Sequence, residues 1–327
     1  MADPFNVLIS SAGRRVGLVH TFREALQELR LKGRVLAGDV SDLSSAFHAA
    51  DAGFLVPPCS SSEFVPTMID LCARENVRLV VPTIDPELPV WAEHREAFLR
   101  SGTAVAISTP QVIRIGWDKC ATHEWLRSNG FPTVRQVLPE DRETANLPFP
   151  LVVKPRTGSA AVGVRVVSDD VELKLAVRQP DVVIQEFAPG VEHTLDVFVD
   201  RSGTTRCAVP RMRIEVRAGE VSKGRTVRSE PMIDLASRIC SALPGAYGVI
   251  TVQIFLEEDG ETMRVIEINP RFGGGFPLAW EAGARYPTWL IEDVLGRTPA
   301  VRTDWRDGLV MLRYDEAVFV DAGELQT

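Results

Sequence analysis

The period of apolar positions changes along the chain, and the changes mark its elements. Between residues 5 and 107, short apolar runs at 5–10, 34–39, 54–57, 78–82 and 104–107 alternate with helical stretches. One helix follows the turn at 13–17 and runs to Leu29. Another spans 64–75, where Val65, Ile69, Leu71 and Cys72 form an apolar stripe. Buried strands alternating with helices predict a parallel, doubly wound sheet. Ligands of such sheets sit beyond the carboxyl ends of strands, where 10–15 and 83–87 fall. Asp118 is a natural cap for a helix that Gly130 and Pro132 stop. Strands at 149–155 and 164–167, a helix at 172–178 and a strand at 182–187 follow. Alternating strands are then expected at 193–200, 206–217, 248–256 and 264–269, with a loop at 218–226 and a helix at 231–243. Helices at 278–285 and 288–295 and a strand at 309–314 complete the pattern.

Composition narrows the class. The chain has 327 residues, 45% hydrophobic and 24% charged, within the range of soluble globular proteins. Its net charge of −8 argues against a nucleic-acid backbone or an anionic membrane as partner. No apolar run is long enough to span a bilayer. The acidic start Met1-Ala2-Asp3-Pro4 leads straight into a strand, so no signal peptide is expected. Five scattered cysteines without a C-x-x-C pair read as reduced, cytoplasmic thiols and not as a zinc site.

The stretch 264–271 carries the densest chemistry. Strict alternation puts Ile266 and Ile268 on one face and Glu267 and Asn269 on the other. Pro270 ends the strand, and Arg271 emerges beside the polar pair. Pairing with 248–256 as a hairpin brings the Gln253 side chain near both. One carboxylate and two amide oxygens suit a Mg²⁺ ion that keeps waters and phosphate oxygens as its other ligands. An amphipathic hairpin with a solvated polar face explains the same pattern.

Upstream, the strand at 149–155 carries Lys154 into a glycine-bearing loop, Arg156 to Gly163. Gly158 and Gly163 have P-loop separation, but Val164-Arg165 stand where Lys-Ser/Thr is needed, and a strand follows instead of a helix. A glycine hairpin closing on phosphates from above fits better, with Lys154 as a point charge for phosphate oxygens. A plain surface hairpin is the alternative. In the first sheet Asp39 stands where a dinucleotide ribose could be held, yet 11–17 lacks the G-x-G-x-x-G turn, which disfavours NAD. Arg14, Arg15, Asp85 and Glu87 fit either an amino-acid pocket or caps and surface charges. On the strand 206–217, Arg211, Arg213, Glu215 and Arg217 share a face. They form either a solvated edge or a platform for a substrate carboxylate. Gly273 and Gly274 lie beside the site as backbone donors or as a flexible turn.

Taken in order, Lys119, Lys154, Gly158 to Gly163, Gln185-Glu186-Phe187, Glu192, Gln253 and Glu267-Ile268-Asn269-Pro270-Arg271 resemble the ATP-grasp superfamily. Within it the chain is most similar to carbamoyl-phosphate-synthase-like single-chain carboxylate–amine ligases, a group that includes the pyrrolysine-pathway amino-acid ligase. The resemblance implies an α/β and α+β protein of ATP-grasp fold. Residues 1–115 would be a Rossmann-like domain with a doubly wound parallel sheet. Residues 116–186 would be a small lid with the flap, and 187–327 an antiparallel-sheet catalytic subdomain. It implies ATP and Mg²⁺ as cofactors, with Mn²⁺ as a substitute. Lys119, Lys154, Gly158, Ser159, Ala160 and Gly163 would hold phosphates. Gln185, Glu186 and Phe187 would take the adenine, and Glu192 the ribose. Gln253, Glu267 and Asn269 would hold the metal, and Arg271 would stabilise the transferring phosphoryl group. Arg14, Glu87, Arg211, Arg213, Gly273 and Gly274 are candidates for the substrate. The partners implied are a small-molecule acid and an amine, with a homodimer as the assembly. The expected reaction joins them through an acyl phosphate. A kinase of a small acid and a non-catalytic ATP-binding regulator are the alternatives. Ala160-Ala161 inside the flap and His193 in place of a common Tyr are mild departures. Only one lid and one catalytic half are present, so carbamoyl phosphate synthesis is not expected.

Overall fold

The computed structural model describes residues 4–158, 162–217 and 219–325. The first unit is a parallel sheet of β1 (Asn6–Ser10), β2 (Val35–Asp39), β3 (Ala52–Leu55), β4 (Val77–Pro82) and β5 (Ala104–Val105), in the order β3-β2-β1-β4-β5. Both faces are covered. Val7 and Ile9 of β1 pack with Val19 and Phe22, while Leu8 packs on the other side with Met68 and Trp91. This double burial is why β1 and β2 read as continuous apolar runs. Two helices that the periodicity left unassigned, Leu88–Arg100 and Pro110–Trp117, belong to this half of the chain. Their prolines look like breakers but stand in the first turn, where the missing N–H costs nothing.

The second unit holds β6 (Gln136–Val137), β7 (Leu151–Pro155), β8 (Arg165–Val167) and β9 (Val182–Glu186), antiparallel in the order β6-β9-β7-β8. It has its own small core, with Leu151, Val153, Val167 and Ile184 packed on Leu173. The chain leaves it through Gly190, whose φ is +101°.

The third unit is an antiparallel sheet of β10 (Val191–Val199), β11 (Thr205–Arg217), β12 (Glu220–Thr226), β13 (Gly248–Leu256), β14 (Met263–Asn269) and β15 (Val310–Leu312). Its order is β14-β13-β10-β11-β12-β15. Two sequence expectations are corrected here. The stretch 218–226 is not simply a loop, because 220–226 is β12, paired to β11 through irregular register near Arg213 to Val216. Strict alternation also fails on β14. Gln253 pairs with Glu267 but Ile254 pairs with Val265, so Ile266 is the extra residue of a β-bulge. Val265 and Ile268 therefore both enter the core, and Ile266 turns outward beside Glu267. The first and third units share one core, in which Val19 and Phe22 meet Phe198, Phe276, Trp280, Tyr286 and Trp289. No helix among the described residues is long and apolar enough to cross a membrane.

Candidate active site

Two cavities meet on the face of the third sheet. The more apolar one, about 340 Å³, lies between the second unit and that sheet. Val152, Val164, Val166, Phe187 and Ile266 form its walls, and Lys154, Gln185, Glu192, Gln253 and Glu267 supply polar groups. The second, about 250 Å³, is polar and reaches the first unit through Arg15, Thr83 and Asp85. Gln253, Glu267, Arg213 and Gly219 line both. A ligand in one cavity therefore meets a ligand in the other at these residues.

Strand geometry accounts for the junction. Gln253 and Glu267 are directly paired across the hairpin, so their side chains share a face. Thr251 lies two residues before Gln253, and Thr194 faces Gln253 from β10. Both threonines line the polar cavity, and the period-two rule that marked Gln253 could have marked them. Asn269 pairs with Thr251 and also lines this cavity. Among the described residues no group of three or more His, Cys, Asp or Glu could hold a metal. The donor set here is one carboxylate and two amides. It fits Mg²⁺ whose remaining ligands come from phosphate and water.

Lys154, at the end of β7, is buried 3.7 Å from Glu267. Burial lowers its ammonium pKa from the ordinary value, and the Glu267 carboxylate opposes that shift. Lys119 is also buried, and its Nζ donates to the Gly158 carbonyl at 3.2 Å. Gly158 and Gly163 both take positive φ at the two ends of the flap. Ser159 and Ala160 lie outside the described residues. Gln185 donates to the Gln136 amide oxygen at 2.7 Å. The Glu186 carboxylate accepts from Arg135 at 2.9 Å and Arg264 at 3.1 Å, which ties β9 to the third unit. Phe187 presents a half-exposed ring to the apolar cavity. Burial raises the Glu192 carboxyl pKa, while Arg213, bonded to it at 2.7 Å, pulls it down.

The arginines divide by how fully they are engaged. Arg271 is bound by both carboxylate oxygens of Asp85, with Nε to Oδ1 at 2.7 Å, and also donates to the Phe272 carbonyl. Arg211 is 1% exposed, and its Nε and Nη2 donate to Asp196 at 2.6 and 3.0 Å. Its Nη1, Arg213 Nε and Arg15 Nη1 are buried without a hydrogen-bond partner, and all three arginines line the polar cavity.

Two substrate candidates fall elsewhere. Glu87 is fully buried in the first unit. Its carboxylate accepts from Ser10, Ser11, Trp91 and the backbone N–H groups of Thr83 and Ile84. It braces the loop after β4 and does not reach the cavity. Arg14 lies in an adjoining cavity. Gly273 and Gly274 do line the polar cavity. Glu220, also there, carries no sequence signal, because its stretch resembles a loop.

Comparison with known proteins agrees with this architecture. Residues 7–106 match the PylC-like N-terminal domain, and residues 117–275 match the ATP-grasp domain. The chain is 29% identical over 178 residues to carnosine synthase 1 of Gallus gallus, covering 46% of this chain and 19% of that protein. It is 27% identical over 167 residues to 3-methyl-D-ornithine–L-lysine ligase of Methanosarcina barkeri, covering 51% and 42%. The chain thus spans less than half the length of either relative. Among solved structures, the biotin carboxylase domain dimer of Hydrogenobacter thermophilus 2-oxoglutarate carboxylase, in complex with MgADP, ADP and bicarbonate, aligns with a TM-score of 0.74. Identity is 16%, over 94% of this chain and 74% of that one, which is a likeness of fold.

Proposed function

We propose that this chain, whose residues 7–106 match the PylC-like N-terminal domain and residues 117–275 the ATP-grasp domain, is an ADP-forming carboxylate–amine ligase. Its substrates are an amino acid or small peptide acid and an amine. The observation that carries this reading is the meeting of an apolar, nucleotide-sized cavity with a polar one at Gln253, Glu267 and Arg213.

In this reading, the apolar cavity takes ATP. Gln185, Glu186 and Phe187 flank the adenine and Glu192 takes the ribose. Lys119, Lys154 and the flap from Gly158 through Ser159 and Ala160 to Gly163 hold the phosphates. Gln253, Glu267 and Asn269 hold Mg²⁺, which when bound neutralises charge on the phosphate oxygens. The polar cavity takes the acid. Its carboxylate oxygen attacks the γ-phosphorus, ADP leaves, and an acyl phosphate remains. The amine then attacks the acyl carbon, the C–O bond to phosphate breaks, and the amine loses a proton. Phosphoryl transfer asks mainly for positioning and charge neutralisation, which Lys154, Arg213 and Arg271 supply. A closed flap keeps water from the acyl phosphate. The division into 1–115, 116–186 and 187–327, Mn²⁺ as a substitute, a homodimer and a cytoplasmic setting belong to the same reading.

The test is phosphate and ADP release from MgATP, scanned over pairs of amino acids, with product masses. Release that needs both partners, with loss of one water in the product, is the expected result. Release with the acid alone would make the protein a kinase, and ATP binding without release in any pair would make it a regulator. Glu267→Gln should lower turnover at least about a hundredfold, given typical electrostatic contributions to such steps, with circular dichroism unchanged. Wild-type turnover in that variant would remove the metal assignment.

A further inference from the structure

The polar cavity has a neighbour on the far side of Gly274. This third cavity, of about 480 Å³, adjoins it, and the two share Arg15, Glu220, Gly273 and Gly274. Its walls are the start of the helix Val16–Glu28 and the strap 311–318 near the end of the chain. The two cavities adjoin at Gly274, where the Glu220 and Arg15 side chains close on the backbone. A Cβ there would lie 2.8 Å from the Glu220 carboxyl carbon and 3.0 Å from Arg15 Nη1. Gly274 does not occupy the left-handed region, so space and not backbone conformation calls for glycine.

Arg14, Arg15 and Arg313 line the third cavity together with Glu220, Asp315 and Glu316, and the arginines gather around Glu220. Glu220 accepts from Arg313 at 3.0 Å and lies 3.9 Å from Arg15, and the charge of Arg14 reaches it as well. One carboxylate thus faces three guanidinium groups. Asp315, further out, is drawn to Arg217 at 3.1 Å, and Glu316 is exposed on the strap. Arg14 is exposed at the mouth of this cavity and has no hydrogen bond or ion pair among the described residues, while Arg15 donates through Nη2 to the Thr83 carbonyl at 3.5 Å and keeps Nη1 buried without a hydrogen-bond partner. A buried guanidinium N–H left in this way needs a partner from outside the chain, and a carboxylate is an acceptor that two neighbouring arginines bind well.

We propose that this third cavity seats the amine substrate, and that this substrate carries its own carboxylate. The carboxylate rests between Arg14 and Arg15, and the amine reaches past Gly274 towards the acyl carbon in the polar cavity. The chemical class is a free amino acid or a small peptide. Ammonia would need neither the volume nor the paired arginines. The assignment rests on the ligase reading above, with the same bonds formed and broken: the amine nitrogen takes the acyl carbon, and phosphate leaves with the C–O electron pair.

The experiment is calorimetric binding to the full chain with ADP and Mg²⁺. The common α-amino acids and β-alanine are the probes, each compared with its carboxamide. At least one amino acid should bind, with its carboxamide weaker by roughly tenfold, the worth of one charge-assisted contact. Arg14→Ala should erase that gap without changing ADP affinity, and Arg14→Lys should restore part of it. Gly274→Ala should weaken the amino acid by crowding the junction of the two cavities. No binding by any amino acid, equal binding of acid and carboxamide, or an unchanged gap in Arg14→Ala would each overturn the proposal. Turnover separates it from the ligase reading. If no pair releases ADP but the Arg14-dependent gap holds, the seat stands and the ligase reading falls. If ammonia supports turnover as well as every amino acid, the ligase reading stands and the seat falls.

Discussion

Lys154 and Glu267 lie 3.7 Å apart in the wall of the apolar cavity. Burial costs the lysine its proton earlier than usual, so its pKa lies below 10.5 in the free protein. Triphosphate oxygens placed beside it would favour the ammonium and raise that pKa again. The complex then binds more protons than the free protein between the two values. ATP affinity should therefore fall as pH rises through the lowered pKa, before lysine's ordinary range is reached. Titration calorimetry from neutral to alkaline pH checks this, with Lys154→Arg as a control whose affinity stays flat. Asp85 tests a different kind of contact. Its bidentate grip fixes the Arg271 guanidinium from the first unit. Asp85→Asn keeps the shape but removes the charge, and should cut kcat about tenfold, as losing one charge-assisted pair does, with ATP affinity unchanged. Equal kcat would make Asp85 only a structural tie. The sequence singles out Lys154 by its place at the end of an apolar strand that leads into a glycine-bearing loop. Nothing in the sequence pairs Asp85 with Arg271, since 186 positions separate them.

At the scale of elements, the hairpin of β13 and β14 was legible, because its apolar periodicity and its turn agree. Its bulge was not. An extra residue is defined only against the partner strand, and Ile266 counts as extra because Ile254 pairs with Val265. The strand β12 was hidden in the same way. Its Gly224 and charged residues, with Gly219 just before it, resemble a loop until β11 pairs with it. Gly190, where the second unit joins the third sheet, gives a local test. Its φ is +101°, and a Cβ would lie 2.1 Å from the Leu256 carbonyl oxygen. Gly190→Ala should destabilise the protein by well over about 1 kcal/mol, the backbone cost alone being near that figure. Thermal unfolding reads the loss directly. Gly260, with φ +73° and open space around it, is the control, and Gly260→Ala should cost only the backbone strain.

For the whole molecule, the notable feature is the core shared by the first and third units. Phe22 sits edge-on to Phe272 with ring centroids 5.8 Å apart, and Phe272 meets Phe276 at 4.8 Å. The helix Val16–Glu28 adds polar ties, Glu24 to Trp280 at 2.9 Å and Glu28 to Thr288 at 2.8 Å. These contacts couple the two units, while the second unit keeps a core of its own. Phe22→Ala should remove about 3–5 kcal/mol, as large-to-small changes in aromatic cores do. Denaturation followed by circular dichroism and tryptophan fluorescence should then show both signals moving to one lower midpoint. Separate midpoints would mean that the shared core does not couple the units.

What the sequence by itself determined was local: the doubly wound first sheet, the hairpin whose second strand ends at Asn269 ahead of Pro270-Arg271, and through such motifs the ATP-grasp resemblance. Those features follow from periodicity and turn chemistry, which act over a few neighbours. Only the tertiary structure decided which arginines are engaged and which are left unpartnered, that Glu87 braces a loop, and that two cavities meet at Gln253 and Glu267. Each of these depends on groups brought together from distant parts of the chain. Whether a buried charge has a partner is decided by packing, because burial creates the need and only a neighbour in space can meet it.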